Sequence, residues 1–447
     1  MQAKESWVSL WMPLSIAYIA AILRQEHEVK LIDCIAENIS LEDLKKEITK
    51  FSPNLIVINT AFPSIYGDAQ VANLAKKINS EIKTIMIGMF PTLLEEKSLE
   101  TFREVDFGIL GEPEFVIKNL IRALENNSSP RRIRGIVFRQ NGRIFKTKPQ
   151  IIEKNNLDEL PFPARDLLRN ERYKLPDGQL FTLVSIARGC PHDCIFCVAN
   201  CYYGKKFRKR EVNSVINEIE ECKKKYKISN FLFWGESFTL DQDYVEEICN
   251  EITNKKLKIR WSTASRVDTL NEKLLKKMKE AGCAFVSLGI ESSNQEILDR
   301  ANKRITLPQI KRAIELVKKS GIKSMGHFIF GLPGETSETA KETIKFACNS
   351  QLDYAQFHCA IPYPKTKLWQ LAKSKKWIMD EDYSKYELTT SVLRTETLMP
   401  KEIENFRRLA YYKFYSRPRR LWKIIQDVGL KNFFNSLSFL RWVKPKK

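Results

Sequence analysis

The first third of the chain alternates short, almost purely apolar runs with amphipathic segments. An apolar stretch at 8–23 comes first; it contains Pro13 and is shorter than a bilayer span, which predicts a buried helix and not a membrane segment. Strands are then predicted at 55–59, 84–88 and 107–111, with helices at 41–50, 69–78 and 114–124. Apolar strands between amphipathic helices are typical of a Rossmann-like, doubly wound parallel sheet, which binds ligands at the carboxyl ends of its strands.

A second alternating series begins after a loop-rich stretch. This stretch contains Ser-Ser-Pro, a predicted hairpin about Asn141 and Gly142, and a proline-bearing segment at 160–163, all of which indicate a connector. Six strands follow, at 182–188, 230–234, 258–262, 284–290, 322–330 and 353–360. Six β/α units predict a partial (β/α)6 barrel of the TIM type, with its chemistry where strands end and loops begin. The α/β chain is thus expected to have four parts: a ligand-binding domain at 1–125, the connector at 126–180, the barrel at 181–367 and a helical C-terminal region at 368–447.

Composition and charge refine this picture. With 43% hydrophobic and 29% charged residues among 447, the chain matches a folded multidomain protein and not a disordered or membrane-spanning one. The formal net charge is +20, but lysines are spread over helical faces such as 218–227 and 272–279 without a nucleic-acid motif. Nucleic acid is therefore the least favoured partner. The aromatic and basic tail at 411–447 has two interpretations: packing on the barrel, which we favour, and peripheral contact with a membrane surface.

Three of the ten cysteines stand close together, directly after the first strand of the predicted barrel. Irregular cysteine spacing without an export signal indicates reduced thiols and a cytoplasmic protein. Cys190, Cys194 and Cys197 lie in one loop, where thiolates can hold three irons of a cubane and leave the fourth iron open to react. The predicted metal centre is a 4Fe-4S cluster.

Other interpretations of these cysteines remain. A structural zinc usually takes four ligands in two short pairs, and the sequence offers no second pair at a suitable spacing. Cys201 could be a fourth ligand that closes the cluster, which would make it structural; we favour the open cluster, because open positions perform chemistry. His327, His358 and Cys359 lie on strands that line the barrel and are interpreted as core residues.

The spacing Cys-x3-Cys-x2-Cys after the first strand of a β/α barrel resembles the radical S-adenosylmethionine superfamily. This resemblance implies that S-adenosylmethionine chelates the open iron through its amino and carboxylate groups. It also implies that an electron from the cluster cleaves it to a 5′-deoxyadenosyl radical, which abstracts hydrogen from substrate. A reductant such as flavodoxin or ferredoxin would supply the electron.

Later strand ends resemble the same superfamily, in the same order. Gly235 and Glu236 match the motif that receives the methionine amino group, with Trp234 where a small or acidic residue is usual. The other residues that the resemblance places at S-adenosylmethionine are Arg266 at the carboxylate, Glu291 and Ser292 near the ribose and carboxylate, and Ile329 and Gly331 beside the adenine.

The sixth strand and the N-terminal half resemble one subgroup, the anaerobic magnesium-protoporphyrin IX monomethyl ester cyclases and related cobalamin-dependent radical methyltransferases. Residues 361–366 are close to its Pro-Tyr-Pro-Gly-Thr pattern, with Lys365 where glycine is expected, and 88–92, 111–114 and 160–165 echo its N-terminal half and connector. The likeness covers most of 14–420 and implies cobalamin in the first domain, without a histidine on cobalt because Asp-x-His-x-x-Gly is absent. The residues implied at cobalamin are Thr60 and Ser64 facing the ligand, and Gly88, Thr92 and Gly111 along its nucleotide tail.

The leading hypothesis is an oxygen-sensitive enzyme that makes a deoxyadenosyl radical and, with cobalamin, methylates or oxidatively cyclises an unactivated carbon. Its substrate would be a small molecule, lipid-like or a tetrapyrrole, and the protein would hold the cofactors and substrate in line. Two alternatives stay open. One is a radical enzyme whose first domain is a scaffold without cobalamin, and the other is a non-catalytic iron–sulfur electron carrier or redox sensor.

Overall fold

The computed structural model describes residues 10–150 and 157–429. The first sheet has five strands: β1 Leu55–Thr60, β2 Lys83–Gly88, β3 Phe107–Ile109, β4 Ile136–Gln140 and β5 Arg143–Lys146. They are ordered β1-β2-β3-β4-β5; the first three are parallel, and β4 and β5 form an antiparallel hairpin along the edge of β3. The hairpin predicted within the connector therefore extends the first sheet.

Six helices cover both faces of this sheet, as a doubly wound fold requires. They are α1 Leu14–Leu23, α2 Leu41–Phe51, α3 Ile65–Ile78, α4 Met89–Leu94, α5 Glu96–Thr101 and α6 Ile117–Glu125. Side chains of α1 and α6 join Ile85 and Ile87 in one apolar cluster, whereas α3 and α4 join Ile58 and Met86 in another. All residues of α1 from 17 to 23 are buried, which confirms the predicted buried helix. The predicted doubly wound domain is confirmed as well.

The second sheet is fully parallel and follows the chain in order. Its strands are β6 Phe181–Ser185, β9 Asn230–Trp234, β10 Arg260–Arg266, β11 Cys283–Glu291, β12 Lys323–Phe330 and β13 Tyr354–Cys359, with a short antiparallel ribbon of β7 Ala187–Arg188 and β8 Arg208–Lys209 beside them. The order β13-β12-β11-β10-β9-β6 is that of the predicted six-unit partial barrel. One strand departs from its predicted bounds: β10 begins after Lys258, whose φ of +49° is incompatible with an extended strand, and continues to Arg266.

Helices cover the outer face of this sheet. Two helices of this half lie elsewhere: α7 Ala199–Tyr202 contacts α4 of the first domain, and α14 Lys367–Ser374 packs in a separate apolar cluster. The outer helices are α8 Val212–Tyr226, α9 Gln242–Asn254, α10 Glu272–Glu280, α11 Gln295–Arg300, α12 Leu307–Lys319 and α13 Ser337–Asn349. Alternate residues of each strand, such as Val286, Leu288 and Ile290 of β11, pack with these helices in the largest apolar cluster. The residues between them are less buried and form the inner face of the partial barrel.

Two further helices, α15 Pro400–Tyr415 and α16 Pro418–Val428, confirm the predicted helical C-terminal region. Ile403 and Phe414 of α15 pack into the barrel's apolar cluster. Of the predicted aromatic tail, Phe433, Phe434, Phe439 and Trp442 lie outside the described residues. Within the ranges described, no helix combines the length and apolar character needed to cross a bilayer. The limits of the four predicted parts stay a prediction.

Candidate active site

The carboxyl end of the first sheet lies against the loops at the carboxyl end of the second. Gly111, just after β3, approaches α7, and a side chain there would come within 3.3 Å of the Tyr202 carbonyl oxygen. On another side, Lys365 Nζ donates to the carbonyl of Thr92, 2.7 Å away, and forms an ion pair with Glu95. The residues predicted at cobalamin and at the cluster thus face one interface. Ligands of parallel sheets bind at this edge.

The cysteine loop is held by its backbone. Gly189 enters it with φ of +86°, and a Cβ there would lie 2.1 Å from the Lys206 carbonyl oxygen, so only glycine fits. In the middle of the loop, Ile195 N–H donates to the Ala301 carbonyl at 3.0 Å. These contacts fix a segment that has no regular secondary structure, as an ordered ligand loop requires.

The three predicted cluster cysteines share this loop as free thiols, Cys190 and Cys194 half-buried and Cys197 with more of its surface exposed. Burial raises the pKa of each thiol, and charge on Cys194 raises the pKa of Cys190 and Cys197 further, which shows that the sulfurs lie within electrostatic reach. Across the described ranges, no three His, Cys, Asp or Glu side chains converge on a point as ligands of a single ion do. A cubane does not need such convergence, because each thiolate binds a different iron. The donor set therefore fits a 4Fe-4S cluster.

Cys201 lies apart from this group. It packs against the apolar cluster of the first domain that contains Phe90 and Leu93. Burial raises its pKa and Lys365 lowers it, and the three cluster cysteines do not contribute to the shift. This environment favours the predicted open cluster, in which Cys201 is not a ligand.

Glu236 joins the cysteine loop to the predicted S-adenosylmethionine site. Its carboxylate accepts from Gly189 N–H at 3.2 Å, and Gly235 before it lies against β7, with Ala187 as its neighbour. Burial raises the pKa of Glu236 to about 7, opposed by hydrogen bonds from backbone N–H groups and the Trp234 indole and by the charge on Arg188. A carboxyl poised in this way can accept from an ammonium group at the cluster.

Glu291 lies buried at the end of β11 in a left-handed conformation, with φ of +67°. It forms an ion pair of 2.6 Å with Lys303, a residue that the sequence did not single out. The neighbouring Ser292 is fully buried, and its hydroxyl accepts from Asn294 N–H at 3.1 Å. A strained non-glycine backbone at a strand end is typical of a functional site.

Arg266, predicted at the methionine carboxylate, is already engaged on one side. Its Nε and one terminal nitrogen hold Asp268 at 2.9 and 2.8 Å, and the same terminal nitrogen donates to the Lys303 carbonyl at 3.0 Å. The other terminal nitrogen has no partner in the described chain. Arg266 can therefore offer a ligand one nitrogen and not the full fork.

The predicted adenine-side residues follow β12. Ile329 is half-buried on the inner face, and Gly331 has φ of +88° with Ile403 of α15 packed against it, 2.8 Å from the position of a Cβ. Gly331 N–H donates to the fully buried Glu335, whose pKa burial raises to about 8. The Glu335 carboxyl accepts the Gly331 N–H and so holds the turn closed. Because its pKa lies above 7, the carboxyl is mostly neutral near pH 7, and its burial needs no cationic partner.

Four of the five residues predicted at cobalamin form one group at the strand ends. Thr60 Oγ1 donates to the Ile87 carbonyl at 2.6 Å; Thr92 Oγ1 donates to Gly88 and accepts from Gly111 N–H. Ser64 stands at the start of α3, where its hydroxyl donates to Asp68 at 2.7 Å. Since these three hydroxyls already donate to protein acceptors, a cofactor at this sheet edge would be held mainly through backbone and apolar contacts.

A buried ion-pair network joins the two domains beside this edge. Arg188, immediately before the cysteine loop, donates to Glu112 at 2.7 Å and to Glu114 at 2.8 Å, and Arg208 also pairs with Glu112. All four side chains are almost inaccessible to solvent. The sequence flagged Glu112 and Glu114 only as part of a family-like segment; their distant partners follow from the fold.

Comparisons with known proteins agree with this geometry. Residues 184–347 match the family model of the radical SAM superfamily, and residues 5–121 match that of the B12 binding domain. An uncharacterized methyltransferase of Pyrococcus horikoshii is 37% identical over 413 residues, covering 92% of this chain and 90% of the relative. The anaerobic magnesium-protoporphyrin IX monomethyl ester cyclase of Rubrivivax gelatinosus is 29% identical over 421 residues, covering 91% and 75%.

Solved structures share the fold over nearly the whole chain. The radical methyltransferase TsrM of Kitasatospora setae, with cobalamin and a [4Fe-4S] cluster bound, has a TM-score of 0.74 at 14% identity and covers 97% of both chains. The cobalamin-dependent radical enzyme OxsB has a TM-score of 0.75 at 16% identity, covering 100% of this chain and 72% of its own. The resemblance stated from the motifs is confirmed, and the chain belongs to the radical S-adenosylmethionine superfamily, among the enzymes that combine a cobalamin-binding domain with a 4Fe-4S cluster and S-adenosylmethionine.

Proposed function

We propose that this enzyme methylates an unactivated carbon of a small organic substrate. One observation carries the proposal: the strand end and loop that would bind cobalamin are tied to the strand that leads into the cysteine loop by the buried pairs of Arg188 with Glu112 and Glu114. A methyl donor and a radical source must face the same substrate carbon, and a rigid interface between the two domains keeps them in line. When bound, the cluster and S-adenosylmethionine supply the deoxyadenosyl radical, and cobalamin supplies the methyl group.

The protein's own side chains hold and shield these groups. We assign Cys190, Cys194 and Cys197 to the cluster, since they share one ordered loop as free thiols. The residues assigned to S-adenosylmethionine are Gly235, Glu236, Arg266, Glu291, Ser292, Ile329 and Gly331, and those assigned to the walls of the cobalamin site are Thr60, Ser64, Gly88, Thr92 and Gly111. Glu236 would orient the amino group, and Arg266 would offer the carboxylate its remaining nitrogen.

Relatives support an organic substrate but leave its identity open. The 37% identical relative is named a methyltransferase, and the 29% identical relative acts on a magnesium porphyrin. A tetrapyrrole or another small, partly apolar molecule fits both. A flavodoxin or ferredoxin would supply electrons, and the ten free cysteines favour a reducing compartment such as the cytoplasm. Trp422 of α16 is 61% exposed and offers an aromatic contact for a membrane surface.

The proposal is tested with anaerobically reconstituted enzyme, cobalamin, a reductant and S-adenosylmethionine that carries a deuterated methyl group. Incubated with an extract of the source organism, the enzyme should release 5′-deoxyadenosine and S-adenosylhomocysteine, and one extract component should gain the labelled methyl group. The Cys194→Ala variant serves as the control. A new product without label, formed together with deoxyadenosine, would mean cyclisation instead of methyl transfer. No deoxyadenosine above the control would favour an electron carrier.

A further inference from the structure

Two histidines meet on the inner face of the barrel, deeper than the predicted S-adenosylmethionine site. His327 lies on β12 and His358 on β13, and His327 Nδ1 and His358 Nε2 are 3.3 Å apart, with the two rings within 15° of parallel. Each ring is only half-buried, and within the described chain its other nitrogen has no hydrogen-bond partner. Sequence reasoning treated both as core residues; the structure instead pairs them at an accessible inner surface.

The pairing has a consequence for hydrogen bonding. Burial lowers the pKa of His327, and lowers that of His358 well below its usual value, so both rings are neutral near pH 7. In two neutral rings that share one hydrogen bond, the donor ring leaves its outer nitrogen as an acceptor, while the acceptor ring keeps its outer N–H as a donor. The pair therefore presents one donor and one acceptor to the cavity, whichever ring donates.

The pair is close to the predicted S-adenosylmethionine site. Strand register places His327 beside Gly289, and the Lys303 ammonium lies over Gly289, 2.8 Å from where a Cβ would be. Lys303 in turn pairs with Glu291, and both charges act on His327. The imidazoles are thus about one residue row below Glu291, the predicted ribose contact.

The surrounding inner face leaves room for a largely apolar molecule. At the level of the histidines the central strands present small side chains, Ala264 from β10 and Ser287 from β11, and Phe285 lies one step lower on β11 against Tyr354. Ala264 is exposed although its strand has neighbours on both sides. Beside the histidines, Met325 and Ile329 provide apolar walls. Polar groups that converge in an apolar cavity usually fix the orientation of a ligand.

Resting on the proposed function, we infer that the His327–His358 pair is a substrate-anchoring site that binds a neutral hydroxyl or carboxamide of the substrate. Such a group donates one hydrogen bond and accepts another, and so matches the pair. The ion pair of Lys303 and Glu291 is internally compensated, so this pair adds no net charge that would favour an ionised group over a neutral one. His327 and His358 are positioning residues in this role, since they hold the substrate while the radical acts at a neighbouring C–H.

The first test measures histidine tautomers by NMR in reconstituted enzyme that carries 15N-labelled histidine. The chain has four histidines, and the His27→Gln, His327→Phe and His358→Phe variants assign three signals by their loss and the fourth by elimination. Sharing one hydrogen bond between Nδ1 of one ring and Nε2 of the other requires both rings to be the same tautomer. 2-Propanol and acetamide should then shift both signals, and cyclopentane should not. The proposal is overturned if the two rings are different tautomers or if either ring is charged. It is also overturned if both rings lose their N–H groups when stoichiometric Zn²⁺ is added, because the pair would then be a metal site.

The second test uses the radical itself. With fully carbon-deuterated 2-propanol in place of substrate, the deoxyadenosyl radical takes deuterium from C2, and the alcohol radical gives one electron to the oxidised cluster and a proton to solvent, forming acetone. The deuterated fraction of deoxyadenosine should fall several-fold in His327→Phe and His358→Phe, and should stay at the wild-type level in His27→Gln. An equal fraction in all four proteins overturns the proposal. If no deoxyadenosine forms, the proposed function fails, and the NMR shifts with 2-propanol still decide whether the pair binds a hydroxyl.

Discussion

The buried pairs between the domains lead to a prediction about stability. Replacing Arg188 with methionine removes the guanidinium but keeps most of the side-chain volume, and Glu112 retains Arg208 as its partner. Glu114 has no such replacement, because its second oxygen already has no partner in the described structure. Its carboxylate would be left buried and uncompensated. The Arg188→Met variant should therefore lose much of the free energy that holds the domains together.

The magnitude follows from the burial of these groups. Burial lowers the pKa of Arg188, but the carboxylates of Glu114 and Glu112 raise it more, so the net shift is well above the usual value and the guanidinium is firmly charged. Removing one partner of such a buried pair costs about 3–5 kcal/mol. In the double variant Arg188→Met with Glu114→Gln, the stranded charge becomes a neutral amide, whose cost is about 1–3 kcal/mol. The double variant should thus be about 2 kcal/mol more stable than the single one.

Urea unfolding of the anaerobic enzyme, followed by circular dichroism and tryptophan fluorescence, measures these differences. Lys319→Ala serves as the control, because Lys319 pairs with Glu272 while 72% of its own side chain is exposed, and such pairs contribute little. We expect no measurable change for the control. A loss below about 1 kcal/mol for Arg188→Met, or an equally unstable double variant, would refute the argument that an unpaired buried charge controls the interface.

Three further predictions concern the cofactors and the interface. Cys194→Ala should purify colourless and lack iron after reconstitution, whereas Cys201→Ala should keep the full iron content and the visible absorption of the cluster; iron loss in Cys201→Ala would show that the cluster is closed. Gly111→Val should lose corrinoid during gel filtration, because Gly111 has φ of +78° and its Cβ position lies 3.3 Å from a carbonyl oxygen at the end of α7. The control Gly67→Ala should retain corrinoid, because a Cβ at Gly67 meets nothing within 4 Å. Lys365→Gly should be more stable than Lys365→Ala by about 1 kcal/mol in urea unfolding, because the native φ of +68° is costly for any side chain; equal stability would contradict this strain.

The regular parts of the fold could be predicted because their signals are local. Apolar runs of strand length and amphipathic helical repeats located both sheets, and the rule that successive β/α units add neighbouring strands supplied the order of the second sheet. The cluster cysteines were equally accessible, since all three lie in one loop. The end of β10 was misjudged, because polar residues up to Arg266 continue the strand where the pattern of apolar residues stops.

The side-chain partners could not be predicted in the same way. Arg188 and Glu112 are 76 residues apart, and nothing local indicates that they meet. The same holds for the two histidines, 31 residues apart, each of which resembles an ordinary core residue when taken alone. Arg266 and Asp268 are an exception, because only one residue separates them and their pairing could have been anticipated. Functional pairs of residues that are distant in sequence could therefore be identified only from the fold.

The unusual Lys365 shows how the first domain closes the barrel. A six-stranded barrel is open, with β6 and β13 at its two edges. At the first edge, Arg188 follows β6 and holds Glu112; at the other, Lys365 follows β13 and reaches Thr92 and Glu95. A glycine at 365 would adopt this backbone conformation without strain, but it could not make the second connection. Since both edges are joined to the same end of the first sheet, that sheet lies across the barrel mouth, where exclusion of water protects a radical from side reactions.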